Sequence, residues 1–307
     1  EEEHKREEVP NRETEQKDEL EDMQKQTQSD NEKDKPKLML EEKESVIVNR
    51  EPKTSCPELL QYEQIVNPER IDLSDKWIES DGAETLSKKN SWFSLEVLIL
   101  DRNNIGDEGV TALSLGHVWE NLTTLDLYNN NIGDQGVEAL SRNKSWKNLR
   151  TLHLSLNQIG AKGATALCGN NAWENLTTLN LFNNKIGYEG AIAFSRSNAW
   201  MNLKTLDLGY NDIGDEGAAA LSKNKSWKSL EILRVPWNEI SAVGAAALSI
   251  NKSWTNLSRL DLESNKIDAK GILKHKRKYV MDQAYDNNSE IQRYMSPGSR
   301  IIESSMA

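Results

Sequence analysis

Cysteine is almost absent from this 307-residue chain; Cys56 and Cys168 stand alone and far apart. That excludes a disulfide scaffold and a cysteine-based zinc cluster. The four histidines, His4, His117, His153 and His275, are scattered, so no metal site is expected. No apolar run approaches the roughly 20 residues that a membrane-spanning helix needs, and membrane insertion is not expected. Basic residues are outnumbered, 38 against 49, for a net charge of −11. A surface of that sign does not suit phosphate backbones, so nucleic acid is excluded as a general partner. No G-x-x-x-x-G-K-[ST] loop is present, hence no nucleotide module of that kind and no expected cofactor. An initiator Met is also missing before Glu1-Glu2-Glu3. That leaves an upstream segment or signal open.

The acid excess is concentrated. Residues 1–45 hold 17 Asp and Glu against 9 Lys and Arg, with almost no aliphatic residue before Leu38. Such a segment buries too little surface to offset an ordering cost of about 1–2 kcal/mol per residue, so it reads as a disordered, solvated tail. Residues 46–64 form a linker or an N-terminal cap. Residues 281–307, with Pro297-Gly298 and several serines, read as a flexible tail.

Between the tails, tryptophan sets a period. Trp92, Trp119, Trp146, Trp173, Trp200, Trp227 and Trp254 recur every 27 residues, the mark of an array of one supersecondary unit. Counting each Trp as position 0, Leu or Val fills positions 3, 6 and 8, Asn position 11, Ile position 13 and Gly position 17. Ala at position 20 and Leu or Phe at position 21 hold through six units. A degenerate unit precedes the first Trp, with Lys76 in place of the Asn. The seventh unit departs late, at Lys274 and His275, and Met281 stands where the next Trp is due. The array therefore spans 65–280.

Each position has a mechanical reason. Leucines at 6 and 8 share one face of a short strand. Positions 13, 17, 20 and 21 have helical spacing, and Asp or Ala at position 15 marks a helix start in six of the seven units. One strand and one helix per 27 residues stack strands in parallel about 4.8 Å apart, whereas helices are about 10 Å wide. The stack must curve with the strands inside. Gly at 17 and Ala at 20 let neighbouring helices approach, and the Asn amide is placed to bridge backbone groups of adjacent turns.

LxxLxLxxNxIxxxGxxAL resembles the leucine-rich repeat superfamily, in its ribonuclease-inhibitor-like branch with NLR-type sensors and Ran GTPase-activating proteins. The resemblance implies an α/β right-handed solenoid, a horseshoe with parallel strands on the concave face and helices on the convex face. The strict 27-residue unit departs from that branch's 28–29 residue alternation. Without cysteine-rich caps, the setting expected is intracellular and cytoplasmic.

The strict Trp register matches the buried leucines, so the ladder reads as filler between coils. Cys168 occupies a position that other units give to Ser, and it reads as a Ser substitute, not a nucleophile. Seven N-x-[ST] sequons fall mostly at recurrent positions and read as by-products of the repeat. The run Lys274–Lys278 reads as the close of the last helix. Ligand information belongs where units disagree on the inner wall. Tyr128, Leu156, Phe182, Tyr210 and Trp237 form a slanting aromatic and apolar band, with Asp126, His153, Asp207 and Arg234 beside it. Exposed aromatics among mixed charges compose protein-binding hot spots; drift or mutual packing is the plainer alternative. The expected function is a non-enzymatic, monomeric scaffold for an unidentified protein partner on the concave face. The resemblance also offers a Ran-directed GTPase activator using Arg102, Asn129 or Asn183, or the sensor half of an NLR-like receptor.

Overall fold

The computed structural model describes residues 65–115 and 119–267. The expected tails 1–45 and 281–307, the segment 46–64, the run Lys274–Lys278 and the end of the seventh unit lie outside them. Eight strands, β1 (Arg70–Asp72), β2 (Val97–Ile99), β3 (Thr124–Asp126), β4 (Thr151–His153), β5 (Thr178–Asn180), β6 (Thr205–Asp207), β7 (Ile232–Arg234) and β8 (Arg259–Asp261), form one open sheet in chain order. Every neighbouring pair is parallel and in register at a 27-residue offset, as in Leu98↔Leu125 and Leu152↔Leu179. Seven helices alternate with them: α1 (Glu79–Ser87), α2 (Gly106–Leu115), α3 (Asp134–Ser141), α4 (Ala161–Cys168), α5 (Gly187–Arg196), α6 (Gly214–Leu221) and α7 (Ala242–Ser249). Each helix packs on the next, so the helices make a second layer and the narrower sheet lines the inner wall.

The repeated positions are the core. Leucines at 3, 6 and 8 are buried in every Trp-bearing coil apart from Val235, which is buried too. All seven register tryptophans are at most 3% exposed. Trp92 Nε1 donates to the Ile65 carbonyl at 3.2 Å, linking position 0 of two coils.

The Asn at position 11 serves the coil before it. Asn130 Oδ1 accepts from the backbone N–H of Asn103 at 3.0 Å and of Ile105 at 3.3 Å, and its Nδ2 donates to Leu100 O at 2.8 Å. Asn157 repeats this toward Asn130, Ile132 and Leu127. Asn103 already serves Lys76 and Ile78 of the degenerate unit. The backbone N–H groups of the degenerate unit are thus satisfied although Lys76 stands at its own position 11. A second Asn ladder, three residues before the Trp, was hidden among the sequons. Asn143, Asn224 and Asn251 are buried, and each Nδ2 donates to backbone of the preceding coil. Those three sequons are structural by-products, whereas Asn121, Asn175 and Asn256 are exposed.

Glycine at 17 sets the spacing between helices. A Cβ on Gly190 would meet Ile186 Cγ2 at 2.4 Å and Ala164 Cβ at 3.1 Å, and one on Gly163 would meet Asp134 Oδ1 at 2.7 Å. Ala at 20 is half-buried in most coils, so close approach depends on position 17 against residue 18 of the helix before, not on position 20. Position 15 acts on the next coil. Asp134 Oδ1 accepts from Gly160 N at 2.7 Å and Gly163 N at 2.8 Å. Where that carboxylate is missing, at Ala161 and Tyr188, the following position 14 is Gly187 or Gly214 at φ near +60°, with its N–H bonded forward to Asn211 O or Asn238 O.

Candidate functional site

The inner wall is built in rows because positions 5 and 7 of each three-residue strand flank the buried position 6. Position 5 aligns Thr124, Thr151, Thr178 and Thr205 in register, all half-buried. Position 7 aligns Asp126, His153, Asn180, Asp207, Arg234 and Asp261. Its members are paired along the row. His153 Nδ1 lies 3.2 Å from Asp126 Oδ2, and Arg234 Nε lies 3.6 Å from Asp207 and 3.4 Å from Asp261. Burial works against a charge on His153. The Asp126 hydrogen bond and the negative charges of Asp126 and Asp207 outweigh it, and hold the imidazole pKa above the usual histidine value.

Side-chain oxygens of this row also shape the chain. Asp126 Oδ1 accepts from Tyr128 N at 3.0 Å, Asn180 Oδ1 from Phe182 N at 2.9 Å and Asp207 Oδ1 from Gly209 N at 2.9 Å. These turns carry the chain from the strand to the band at positions 9 and 10. Position 10 is left-handed in every Trp-bearing coil: Arg102, Asn129, Leu156, Asn183, Tyr210, Trp237 and Ser264 have φ between 51° and 55°. Asn tolerates that backbone, whereas Leu, Tyr and Trp are strained there.

The aromatic band is contiguous in its second half. Ring centroids of Phe182 and Tyr210 are 6.4 Å apart, and those of Tyr210 and Trp237 are 6.5 Å apart. Tyr128, Leu156, Tyr210 and Trp237 are half-buried, as are Asp126, His153 and Arg234. Two expected surface groups are not on the surface. Phe182 is 8% exposed, because Gly209 beside it has no side chain and leaves the ring room to lean toward Pro236. Asp207 is 3% exposed, covered by its pairing with Arg234 and its turn to Gly209. Burial of the row was not legible because it depends on the neighbouring coil.

Arg102 is the residue whose role the sequence hid. Its Nε and Nη2 donate to the two Asp75 carboxylate oxygens at 2.7 Å each, and Nη1 lies 2.8 Å from Asp101. The guanidinium stands 5.8 Å over the Tyr128 ring. The hydrogen bond from Arg102 holds the Asp75 carboxyl below its ordinary range, while burial pushes Asp101 and Tyr128 up. The Cys168 thiol is pushed up to about 12 by burial, against a weak opposing bond from Ser197. A thiol in that state is no nucleophile at neutral pH.

A strand and a helix in alternation, with a buried Asn recurring from Asn103 to Asn238, define a solenoid of parallel strand–helix units. The family profile described as Leucine Rich repeat matches residues 93–114, 120–141, 147–168, 174–195, 201–222, 228–249 and 255–274. The chain belongs to the leucine-rich repeat family. No curated protein matches its sequence. Among solved structures, an internalin (inlF) from Listeria monocytogenes str. 4b F2365 is 22% identical, covering 71% of this chain and 59% of its own, with a TM-score of 0.43. The actin-binding site 2 of leiomodin-1 is 20% identical, covering 47% and 88%, with a TM-score of 0.34. PEPR1–AtPEP1 is 23% identical, covering 64% and 28%, with a TM-score of 0.38. The chain thus spans little more than half of the internalin's length. Among the described residues no helix is long and apolar enough to cross a membrane.

Proposed function

We propose that this chain is a non-enzymatic scaffold that holds a protein partner against its concave wall, with Tyr210 and Trp237 as anchors. Leucine-rich repeat proteins in general mediate protein–protein interaction. The observation that carries the reading is conformational. Tyr210 and Trp237 hold half-exposed aromatic side chains on left-handed backbone, at the position where Asn129 and Asn183 stand in other coils. The left-handed backbone belongs to every Trp-bearing coil, so the strain lies in the choice of side chain, and strained residues cluster at ligand clamps. The leucine and Asn ladders fix the wall behind them, so the anchors lose little entropy on docking. Tyr128, Leu156, Asp126, His153 and Arg234 complete the surface. Phe182 and Asp207 support it from beneath.

The test is affinity capture on the full chain beside a Tyr210→Asn, Trp237→Asn version, with bound proteins quantified by mass spectrometry. A partner held by the parent and lost by the double variant is the expected result. Identical captured sets, with both chains folded, would overturn the site.

A further inference from the structure

Arg102 shows what this rim does with a cation. Its guanidinium lies over the Tyr128 ring and is clamped by Asp75 and Asp101, all four residues belonging to positions 9 and 10 of adjacent coils. A planar, weakly hydrated cation gains from the aromatic face and from bidentate carboxylates together. Aromatic rings and acids recur farther along the rim in a different arrangement, with the acids at position 12 instead of positions 9 and 10. Tyr210 and Trp237 stand with ring centroids 6.5 Å apart, and no arginine or lysine of the described residues lies over either ring. Two residues beyond each ring, Asp212 and Glu239 are exposed. Glu263 adds a further acid at position 9, while the nearby strand bases Arg234 and Arg259 are already engaged by Asp207 and Asp261, and Lys266 stands beside Glu239. The Lys266–Glu239 contact, at 3.5 Å with both side chains more than half exposed, is readily exchanged for a better partner.

We infer that the partner docks a basic segment here, placing an arginine side chain on the Tyr210–Trp237 lip between the Asp212 and Glu239 carboxylates. This rests on the concave-wall reading and names the chemistry of what binds there. A purely apolar segment would strand those carboxylates under the interface. A lysine offers a point charge that cannot stack as a plane.

Fluorescence anisotropy tests it, with the full chain titrated into a labelled eight-residue alternating Arg-Gly peptide and its citrulline and lysine counterparts. Citrulline keeps the shape and removes the charge. The arginine peptide is expected to bind about tenfold more tightly than the citrulline one and more tightly than the lysine one. Tyr210→Asn, Trp237→Asn and the pair Asp212→Asn, Glu239→Gln should each weaken it about fivefold or more. Asn already occupies the first two positions in other coils, and thermal unfolding confirms that each variant folds. Glu108→Gln, on the same edge near the other end, should change little. Equal binding of citrulline or lysine peptide, or equal weakening by Glu108→Gln, would overturn the assignment. If Trp237→Asn releases the captured partner while the arginine peptide ignores that substitution, the cation reading falls and the docking wall stands. If neither responds, both fall.

Discussion

Asp215 holds Ser241 across one coil: its Oδ1 accepts from the Ser241 backbone N–H at 2.8 Å and its Oδ2 accepts from the Ser241 hydroxyl at 2.6 Å. This pair explains why a serine stands where the five preceding Trp-bearing coils have glycine. With the N–H bound to the preceding coil, φ at this position is −87°, which any residue adopts. Without the carboxylate, the neighbouring arrangement is the left-handed one of Gly187 and Gly214.

Removing the carboxylate should therefore cost more at Ser241 than at Gly160. We expect Asp134→Ala to destabilise by about 1–3 kcal/mol through lost charged hydrogen bonds, and Asp215→Ala by about 1 kcal/mol more. Ser241→Gly should destabilise the parent yet be neutral or favourable in the Asp215→Ala background. Urea unfolding of the four chains measures that coupling.

Asn157 satisfies backbone of its own coil and the one before. Asn157→Ala would orphan the N–H groups of Asn130 and Ile132 and the Leu127 carbonyl, at about 1–3 kcal/mol for each group left buried. We expect it to be among the most damaging single changes, whereas Lys76→Asn should gain little. Denaturant midpoints of both variants decide the comparison.

Gly163→Ala should be poorly tolerated although Ala favours helices. Its Cβ would fall 2.7 Å from Asp134 Oδ1 and 2.8 Å from Ile159 Cγ2, so the helix must shift or the cap must break. A cost of about 1–3 kcal/mol is expected from such overpacking, read as a lowered thermal midpoint.

Leu156→Asn should act in the opposite direction. Its φ of 52° strains a leucine and suits an asparagine, so relief of up to about 1 kcal/mol is expected, less what its partial burial contributes. Differential scanning calorimetry reads the gain. At Trp237 the same substitution should leave stability intact or raised while binding is lost.

Stability should carry a histidine signature. The folded pKa of His153 lies above the ordinary histidine value of 6.5. Its contribution is therefore complete below that value and disappears as pH rises through the folded pKa. His153→Asn should flatten this stretch of the stability curve, and Asp126→Asn should lower the imidazole pKa, followed by NMR titration. A His153 resonance titrating at or below 6.5 in the parent would contradict the pairing.

The register was readable because the same environment recurs in every coil. Trp146, Leu152 and Asn157 each meet neighbours identical to those met one coil away. What escaped the sequence depends on differences between coils. Phe182 is buried because Gly209, one coil later, lacks a side chain. The backbone at Gly160 depends on Asp134 in the preceding coil. At position 10 only Asn129 and Asn183 hint at left-handed backbone, and the varied residues of the other five coils conceal it.

The Asn ladder has a direction, and truncation would reveal it. Trimming the degenerate first unit removes its apolar packing but leaves the Asn103 side-chain oxygen only with spare acceptor capacity. Cutting before residue 255 instead removes Asn265, which serves the backbone N–H groups of Asn238 and Ile240. For the Asn ladder the two cuts are thus unequal, since only the C-terminal one orphans backbone N–H groups of the coil that remains.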